Sequence, residues 1–283
     1  MSYYPDVRNV AAERLTEDER DEVLAFLARR PLHSVILAGW IRDHGIVSPQ
    51  HRGEFYGCRG DNGNLVGVAL IGKYVLFEAR GDDAIIAFAR RARACPDVRM
   101  MFAQENELNA FWHYYDGIAP MPRTSRHQLI TSVGCDSKDI DFVEELRIAT
   151  EADLDQVIAA HAEMVFEETG VDPLLADADG FRMRCSRRVE DGRVWVWVKD
   201  GELIFKTDVV SLTSEAIYIE GLWVNPNARG RGNSTRGLTT MCRRLLTGSN
   251  AMCGFLDEEH AFANSLYRRA GFTAVDTYAK IYL

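Results

Sequence analysis

The sequence has no long apolar run, no excess of basic residues and only ordinary amounts of proline and glycine. The 8 prolines and 22 glycines among 283 residues exclude collagen-like and low-complexity chains. Apolar runs such as residues 65–71 are far shorter than the roughly 20 residues that a membrane-spanning helix needs. The first residues show no basic region followed by an apolar stretch, so we expect no signal peptide. The 42 acidic residues outnumber the 33 basic ones, which argues against a general nucleic-acid binder but does not exclude local basic patches.

Cysteine is present but unclustered. The six cysteines are far apart and none belongs to a CxxC pair or stands beside paired histidines: Cys58, Cys95, Cys135, Cys185, Cys242 and Cys253. Structural zinc sites and redox dithiols need such clustering, so we expect buried, reduced thiols and no metal site. Together with the lack of a signal peptide, this predicts a cytoplasmic protein with no membrane or nucleic-acid partner.

The chain is long enough for two domains, each with its own apolar core. Its 283 residues, 47% of them hydrophobic, exceed the usual size of one domain. Two capping boxes, Thr16–Glu19 and Thr150–Asp153, each begin a similar series of predicted elements: helix, helix, β-hairpin, strand and helix. The polar, turn-rich segment Gly134–Asp141 separates the two series. We therefore predict an α/β domain over residues 1–138 and a second domain over residues 139–283. The repeated order suggests a structural duplication, although α+β domains often share such an order.

The most distinctive segment lies in the second predicted domain, where a strand over Ala216–Val224 runs into a glycine-rich loop and then a helix. The loop reads Arg-Gly-Arg-Gly-Asn-Ser over residues 229–234, and Arg236 follows it. A helix N-terminus exposes unpaired N–H groups and a partial positive charge, and glycine lets an anion approach the backbone closely. The P-loop and dinucleotide-binding glycine patterns are both absent. The segment therefore predicts another kind of phosphate or pyrophosphate site, with a plain solvated basic loop as the alternative.

Two motifs, taken together, resemble the GNAT superfamily of N-acetyltransferases. Leu222-Trp-Val224, Pro226 and the loop from Arg229 to Ser234 resemble its acetyl-CoA signature, with serine where the signature ends in glycine or alanine. Downstream, Leu-Tyr-Arg-Arg-Ala-Gly-Phe at residues 266–272 matches its Leu-Tyr-x-x-x-Gly-Phe segment. The resemblance covers about residues 146–283 and extends to two-domain bacterial members with an uncharacterised N-terminal domain.

This resemblance implies an α/β (α+β) fold, in which helices flank a mixed, mostly antiparallel central sheet. The second domain would have this acyl-CoA N-acyltransferase fold, and the first would be a degenerate copy of it. Nothing in residues 1–133 repeats the glycine-rich loop. A GNAT-like first half would therefore lack a CoA loop and would serve the acceptor, the domain interface or the fold.

The resemblance also implies which residues contact acetyl-CoA, without a metal. Leu222, Trp223 and Val224 would lie along the pantetheine arm, and the Val224 N–H would polarise the thioester carbonyl. The loop would hold the pyrophosphate with Arg229, Gly230, Arg231, Gly232, Asn233 and Ser234. His260 stands where many relatives have asparagine; it could contact pantetheine, act as an acid or base, or only cap the following helix.

Two side chains are the candidate catalytic groups. By the resemblance, Tyr267 would protonate the leaving thiolate of CoA, since a phenol titrates near about 10 and a thiol near about 8.5; the alternative is a core aromatic residue. Glu220 is the candidate general base that takes the amine proton through water. It could instead bind the ammonium group of the acceptor or be merely solvated. Glu258 and Glu259 are second-rank candidates for the base.

These expectations describe an acetyl-CoA-dependent N-acetyltransferase in which a primary amine attacks the thioester directly. The acceptor would be a small-molecule amine, an amino acid or a protein lysine, and the donor could be a longer acyl-CoA. A different class is a non-catalytic acyl-CoA-binding regulatory module, which would need neither Tyr267 nor Glu220. A monomer and a homodimer are both compatible with the sequence.

Overall fold

A computed structural model describes residues 10–116, 124–132, 140–246 and 251–283. The chain divides into two compact units. The first comprises Met1–Ile130, Phe255–His260 and Ala274–Leu283, and the second comprises Thr131–Gly254 and Ala261–Thr273. Nearly all of the predicted linker Gly134–Asp141 lies outside the described residues, so the proposed domain boundary after residue 138 stays a prediction.

The helices and strands follow the predicted series closely. Up to residue 132 they are β1 (Ala12–Arg14), α1 (Arg20–Leu27), α2 (Pro31–His44), β2 (Gly53–Arg59), β3 (Leu65–Gly72), β4 (Tyr74–Ala79), α3 (Asp82–Arg93), β5 (Met100–Gln104), α4 (Glu105–Asp116) and β6 (Thr124–Ser132). From residue 146 they are β7 (Leu146–Ile148), α5 (Leu154–Thr169), α6 (Pro173–Glu190), β8 (Val194–Lys199), β9 (Glu202–Leu212), β10 (Ala216–Val224), α7 (Asn233–Leu245), β11 (Ala251–Asp257), α8 (Ala261–Arg269) and β12 (Thr273–Tyr282).

The first unit is built on strands in the order β1-β2-β3-β4-β5-β12. β2, β3 and β4 form an antiparallel meander, β4 and β5 are parallel, and β12 is antiparallel to β5. α3 packs directly on this sheet: a Cβ on Gly67 of β3 would lie only 2.8 Å from the ring of Phe88. Phe77 of β4 stacks on Phe111 of α4 in the same core, with ring centroids 5.2 Å apart.

The second unit repeats this pairing pattern. β7, β8, β9 and β10 are antiparallel neighbours, and β10 pairs with β11 in parallel. The predicted hairpin between β8 and β9 is confirmed, because Asp200 and Gly201 both have left-handed backbones, with φ of +52° and +81°. The connections after the third meander strand differ between the units. β4 reaches α3 through Arg80 and Gly81 alone, whereas eight residues, 225–232, join β10 to α7.

The mixed, mostly antiparallel sheet with flanking helices confirms the predicted fold class. Both capping boxes are also present: the Thr16 N–H donates to Glu19 at 2.9 Å, and the Thr150 N–H donates to Asp153 at 2.7 Å. These local signals were readable because each involves residues only three positions apart.

The five cysteines among the described residues are free thiols. Cys58, Cys185, Cys242 and Cys253 are buried and Cys95 is half-buried, while Cys135 lies outside the described residues. In the described part of the chain, no three His, Cys, Asp or Glu side chains are grouped so as to hold a metal ion. No helix in that part is both long enough and apolar enough to cross a membrane.

Candidate active site

The candidate site is built around a bulge near the end of β10. The register of β10 against β9 shifts between Glu220 and Trp223, so Gly221 and Leu222 together face one residue of β9. Gly221 has a φ of +64°, and a Cβ there would lie 3.2 Å from the ammonium nitrogen of Lys206. The backbone conformation and the close neighbour therefore both favour glycine at the bulge.

β10 also separates from β11 near this bulge. Within the described residues, the two strands pair only from Ala216 to Tyr218, although β10 continues to Val224. The N–H of Asn225 donates to the carbonyl of Ile204 on β9 at 3.0 Å. Because backbone groups alternate sides along a strand, the N–H of Val224 points to the edge away from β9. In the part of the chain that the structure describes, no strand pairs with this edge of β10 after Tyr218, and the Val224 carbonyl accepts from Arg229.

The loop between β10 and α7 presents backbone donors. Gly230 and Gly232 have φ of +76° and +77°, and no atom lies within 4 Å of the position a Cβ would take on either. The first helical hydrogen bond of α7 runs from Arg236 N–H to Gly232 O at 3.0 Å, and Gly232 carries no side chain to cap the helix. Among the described residues, no acceptor pairs with the N–H groups of residues 230–235. Unpaired donors at a helix N-terminus form an anion-binding surface.

The three arginines around this loop differ in their contacts. The Nε of Arg229 donates to the Val224 carbonyl at 3.1 Å, and its guanidinium lies 3.6 Å from Glu163 of α5. Arg236 lies over the ring of Trp197, 5.2 Å from its centroid. Arg231 is exposed and forms no ion pair with a described residue. Arg229 therefore fixes the loop against β10 and α5, and Arg231 is the cation left for a ligand.

The remaining loop and strand residues brace this region. Trp223 is buried, and its indole N–H donates to Glu163 at 2.9 Å, which ties β10 to α5. The Asn233 amide donates to the carbonyl of Ala228 at 3.0 Å and closes the loop. Ser234 is buried in the first turn of α7, whereas Leu222 is half-buried beside the bulge.

Tyr267 lies on α8 and is buried. Its ring meets Phe272 edge to face, with centroids 5.1 Å apart. Burial raises the pKa of the Tyr267 phenol well above its usual range, and Cys242 and the charge of Glu220 add to this rise. The phenol is therefore protonated at neutral pH and can donate a hydrogen bond.

Glu220 is half-exposed at the bulge. The Tyr218 hydroxyl donates to one of its carboxylate oxygens at 3.1 Å, and Arg188 of α6 lies 3.7 Å from the other. The charge of Glu220 contributes to raising the pKa values of both Tyr218 and Tyr267, so these three side chains lie within electrostatic reach of one another. The described hydrogen bond and ion pair of Glu220 are with Tyr218 and Arg188.

A buried ion pair lies beneath the bulge, and the sequence reasoning missed it. The Lys206 ammonium is 2.8 Å from Asp208, and both side chains are at most 3% exposed. Lys206 also lies 3.4 Å from the Gly221 carbonyl, and Arg188 donates to Asp208 at 2.9 Å. A signal was present, because Lys206 and Asp208 stand two positions apart, and so on one face, in a strand that is otherwise largely apolar.

His161 of α5 completes this cluster. Its Nδ1 lies 3.5 Å from the Lys206 ammonium, and its ring stacks on Phe181 with centroids 5.3 Å apart. Burial, together with the charge of Lys206, lowers the pKa of His161 to about 4. The imidazole is therefore neutral at physiological pH and adds no charge to the cluster.

His260 and the two second-rank carboxylates belong to the first unit, unlike the other predicted site residues. His260 is exposed directly before α8, and its N–H donates to the Asp257 carbonyl at 3.1 Å. Glu259 is exposed, and its N–H donates to the Asp257 carboxylate at 2.9 Å. Glu258 is half-buried. The described contacts do not group these residues with Glu220 and Tyr267.

Comparison with known proteins agrees with this geometry. Residues 154–272 match the family model described as Acetyltransferase (GNAT) family. The matched residues include both motifs, so this part of the chain is identified as a GNAT acetyltransferase domain. None of the curated proteins compared with the sequence matches it.

Several solved structures have the same fold over nearly the whole chain. An acetyltransferase from the GNAT family of Colwellia psychrerythraea is 15% identical, with 96% of this chain and 99% of that chain covered and a TM-score of 0.60. A Drosophila protein is 14% identical, with coverages of 97% and 99% and a TM-score of 0.67. A tandem GNAT protein from the clavulanic acid biosynthesis pathway is 14% identical, with coverages of 97% and 98% and a TM-score of 0.59. At these identities the likeness concerns the fold alone.

Proposed function

We propose that the second unit transfers the acetyl group of acetyl-CoA to a primary amine. The observation that carries this proposal is the set of unpaired N–H groups at residues 230–235, next to the open edge of β10. Glu220 and Tyr267 belong to the same unit, and the charge of Glu220 contributes to the raised pKa of Tyr267. Residues 229–232 are exposed, so an anionic ligand can reach these donors from solvent.

The residues present fit this co-substrate. The N–H groups of the glycine-rich loop and the exposed Arg231 suit a pyrophosphate. The open edge of β10, from the bulge to Val224, suits the amide groups of a pantetheine arm. When bound, acetyl-CoA supplies an acetyl group on a thioester that an amine can attack.

Glu220 is the group that takes the proton from the attacking amine. Its carboxylate is half-exposed, so it can reach the amine directly or through one water molecule. Tyr218 and Arg188 hold one carboxylate oxygen each and so restrict its orientation. The Val224 N–H, which points to the open edge of β10, donates to the thioester oxygen as the amine adds to the carbonyl carbon.

Tyr267 is the group that protonates the leaving sulfur. As the new C–N bond forms and the C–S bond breaks, the phenol donates its proton to the thiolate, and Glu220 has already taken the proton from nitrogen. The raised pKa keeps the phenol protonated until that step. Glu220 then releases its proton to solvent, and solvent reprotonates the Tyr267 phenolate.

The acceptor class and the acyl length are the finer parts of the proposal. The half-exposed Glu220 suits an ammonium-bearing acceptor, whether a small amine, an amino acid or a protein lysine. A panel of these amines, with acetyl-CoA and longer acyl-CoA donors, would be assayed by release of free CoA thiol. Acyl-CoA binding without thiol release on any amine would favour the non-catalytic acyl-CoA-binding module instead.

Binding itself is tested by thermal stability. Saturating CoA should raise the melting temperature, because a ligand that binds only the folded state stabilises it. Gly232→Val should abolish this rise, since valine is strained at a φ of +77° and its side chain obstructs the loop backbone. Gly201→Val is the matched control: its φ is +81° and its surroundings are equally open, but it lies in the β8–β9 turn. A melting temperature that CoA leaves unchanged in the wild type would contradict the proposal.

A further inference from the structure

A second surface with the features of a binding site lies in the first unit, at the end of the sheet where β2, β4 and β5 begin. It is an open depression of about 550 Å³, within the size range of small-molecule sites. Four cationic side chains line it: Arg52, Lys73, Arg91 and Arg99. This concentration of positive charge stands in a chain whose net charge is −9.

The strand ends place three of these cations side by side. Arg52, Lys73 and Arg99 each directly precede a strand, β2, β4 and β5 respectively. The Lys73 N–H donates to the Arg52 carbonyl, and the Arg99 N–H donates to the Lys73 carbonyl, both at 2.9 Å. These backbone hydrogen bonds thus hold the Cα atoms of the three cationic residues in one row.

Glycine at the base of this row leaves the depression open. Gly53 and Gly72 face each other across β2 and β3, and a Cβ on Gly72 would lie 2.3 Å from the Gly53 Cα. A residue with a side chain at position 72 would therefore clash with the backbone of Gly53. The two backbones form a floor, and the cations extend around it.

Most of the positive charge here has no carboxylate partner among the described residues, although the Arg99 guanidinium donates to the Val98 carbonyl at 3.2 Å. Within the described residues, Arg52, Lys73 and Arg99 form no ion pair, whereas Arg30 and Arg59 of the same unit bind carboxylates at 3.0 Å or less. All three unpaired side chains belong to exposed residues. Bringing three like charges together without a carboxylate paired to any of them costs energy that an anionic ligand would offset.

The other charged groups at the depression have clear roles. Arg91 donates to the Tyr56 hydroxyl and lies 4.7 Å above its ring, and as a residue of the last turn of α3 it is favoured there by the helix dipole. Glu54 accepts from the same hydroxyl and pairs with Arg14 at 2.9 Å. Asp97 is the one further carboxylate in the lining. The unpaired cations outnumber it three to one, which leaves a net charge matched to a dianion.

From these observations we infer that the depression binds a small organic phosphate. The guanidinium forks of Arg52 and Arg99 suit phosphate oxygens, and Lys73 adds a point charge between them. The volume is far larger than a free phosphate ion fills, so the depression has room for an organic moiety beside the phosphate. This site lies in the unit without the glycine-rich loop, and the inference does not rest on the proposed acetyl transfer.

The test is a calorimetric titration of the full chain with AMP and with glucose 6-phosphate, beside adenosine and glucose. We expect at least one phosphate to bind and its uncharged counterpart not to bind. The variant Arg52→Gln/Lys73→Gln/Arg99→Gln should weaken binding about tenfold or more, since one charge-assisted contact is already worth about that factor. Arg29→Gln/Arg90→Gln/Lys199→Gln, which removes three exposed cations elsewhere, should leave the affinity nearly unchanged.

Several outcomes would overturn the inference. These are a wild type that binds neither phosphate, a depression variant with undiminished affinity, and a charge-matched control that loses as much affinity as the depression variant. AMP carries a phosphate that the loop of the second unit could also take, so the titrations are repeated with Gly232→Val. Binding lost in that variant but kept in the depression variant would assign the site to the loop. Should the triple variant fail to fold, Lys73→Gln/Arg99→Gln answers the same question without touching the left-handed Arg52, whose φ is +52°.

Discussion

The buried ion pair beneath the β10 bulge makes a sharp prediction about stability. Lys206 is 1% exposed and Asp208 is 3% exposed, so Asp208→Asn would leave a buried ammonium without its carboxylate. The Gly221 carbonyl at 3.4 Å is a weak substitute, and neutral His161 offers no charge. Breaking a buried pair from one side typically costs about 3–5 kcal/mol. We expect Asp208→Asn to lose stability in that range, with part of the loss arising from the contact with Arg188.

Asp155→Asn is the matched control. Asp155 is 93% exposed and lies 3.4 Å from Arg182, which is 54% exposed. Exposed pairs contribute about 0–1 kcal/mol. The same chemical change should therefore alter the free energy of unfolding several times more at Asp208 than at Asp155.

Urea denaturation followed by tryptophan fluorescence measures this difference. Trp195, Trp197 and Trp223 belong to the second unit, so the signal reports mainly on the unit that contains the pair. Lys206→Met in the Asp208→Asn background should recover part of the lost stability, because it removes the uncompensated charge. A loss below about 1 kcal/mol in Asp208→Asn, or no recovery in the double variant, would refute the reasoning.

Three further predictions concern the candidate catalytic groups and a helix cap. Tyr267→Phe should lower kcat about 100-fold while leaving the CoA-induced rise in melting temperature intact; an unchanged kcat would make Tyr267 a packing residue. Glu220→Gln should lower kcat/KM for amines by a similar factor at neutral pH, and a normal rate would place the base elsewhere. The pKa of Asp153 is held at about 2 by Arg147 and the Thr150 N–H, below the 3.8 of a free aspartate. Its stabilisation, about 2 kcal/mol, should be complete above pH 4 and disappear as the pH falls towards 2, and Asp153→Asn should remove this dependence in acid denaturation.

The elements of the fold were predictable wherever the signal was local. The bounds of β10 agree with the predicted Ala216–Val224, because the apolar run and the proline that follows it indicate where the strand ends. Asp200-Gly201 and both capping boxes likewise involve neighbouring residues. The partner of β12 was not predictable, because β12 pairs with β5 far away in the sequence. Nothing in the composition of the last strand indicates the unit to which it belongs.

In the candidate site, too, local features were predictable and contacts between distant residues were not. The glycine-rich loop, Glu220 and Tyr267 were predicted from motifs of fixed spacing. The role of Arg188 was not predictable, because it bonds Asp208 and lies near Glu220, which come from two other elements. The contacts of Arg229 with α5 were also out of reach, since no spacing rule connects a loop to an acidic helix face more than sixty residues earlier.

The pairing of β12 with β5 has a consequence for synthesis. Lys280 lies opposite Phe102, so this edge of β5 stays unpaired until β12, at residues 273–282, has been translated. At typical elongation rates of about 5–20 residues per second, this delay is on the order of 10 to 35 seconds. During that time β5 presents an open strand edge of the kind that promotes association between nascent chains. We therefore expect that nascent chains truncated before β12 would engage chaperones, and that synthesis of β12 would complete the sheet of the first unit.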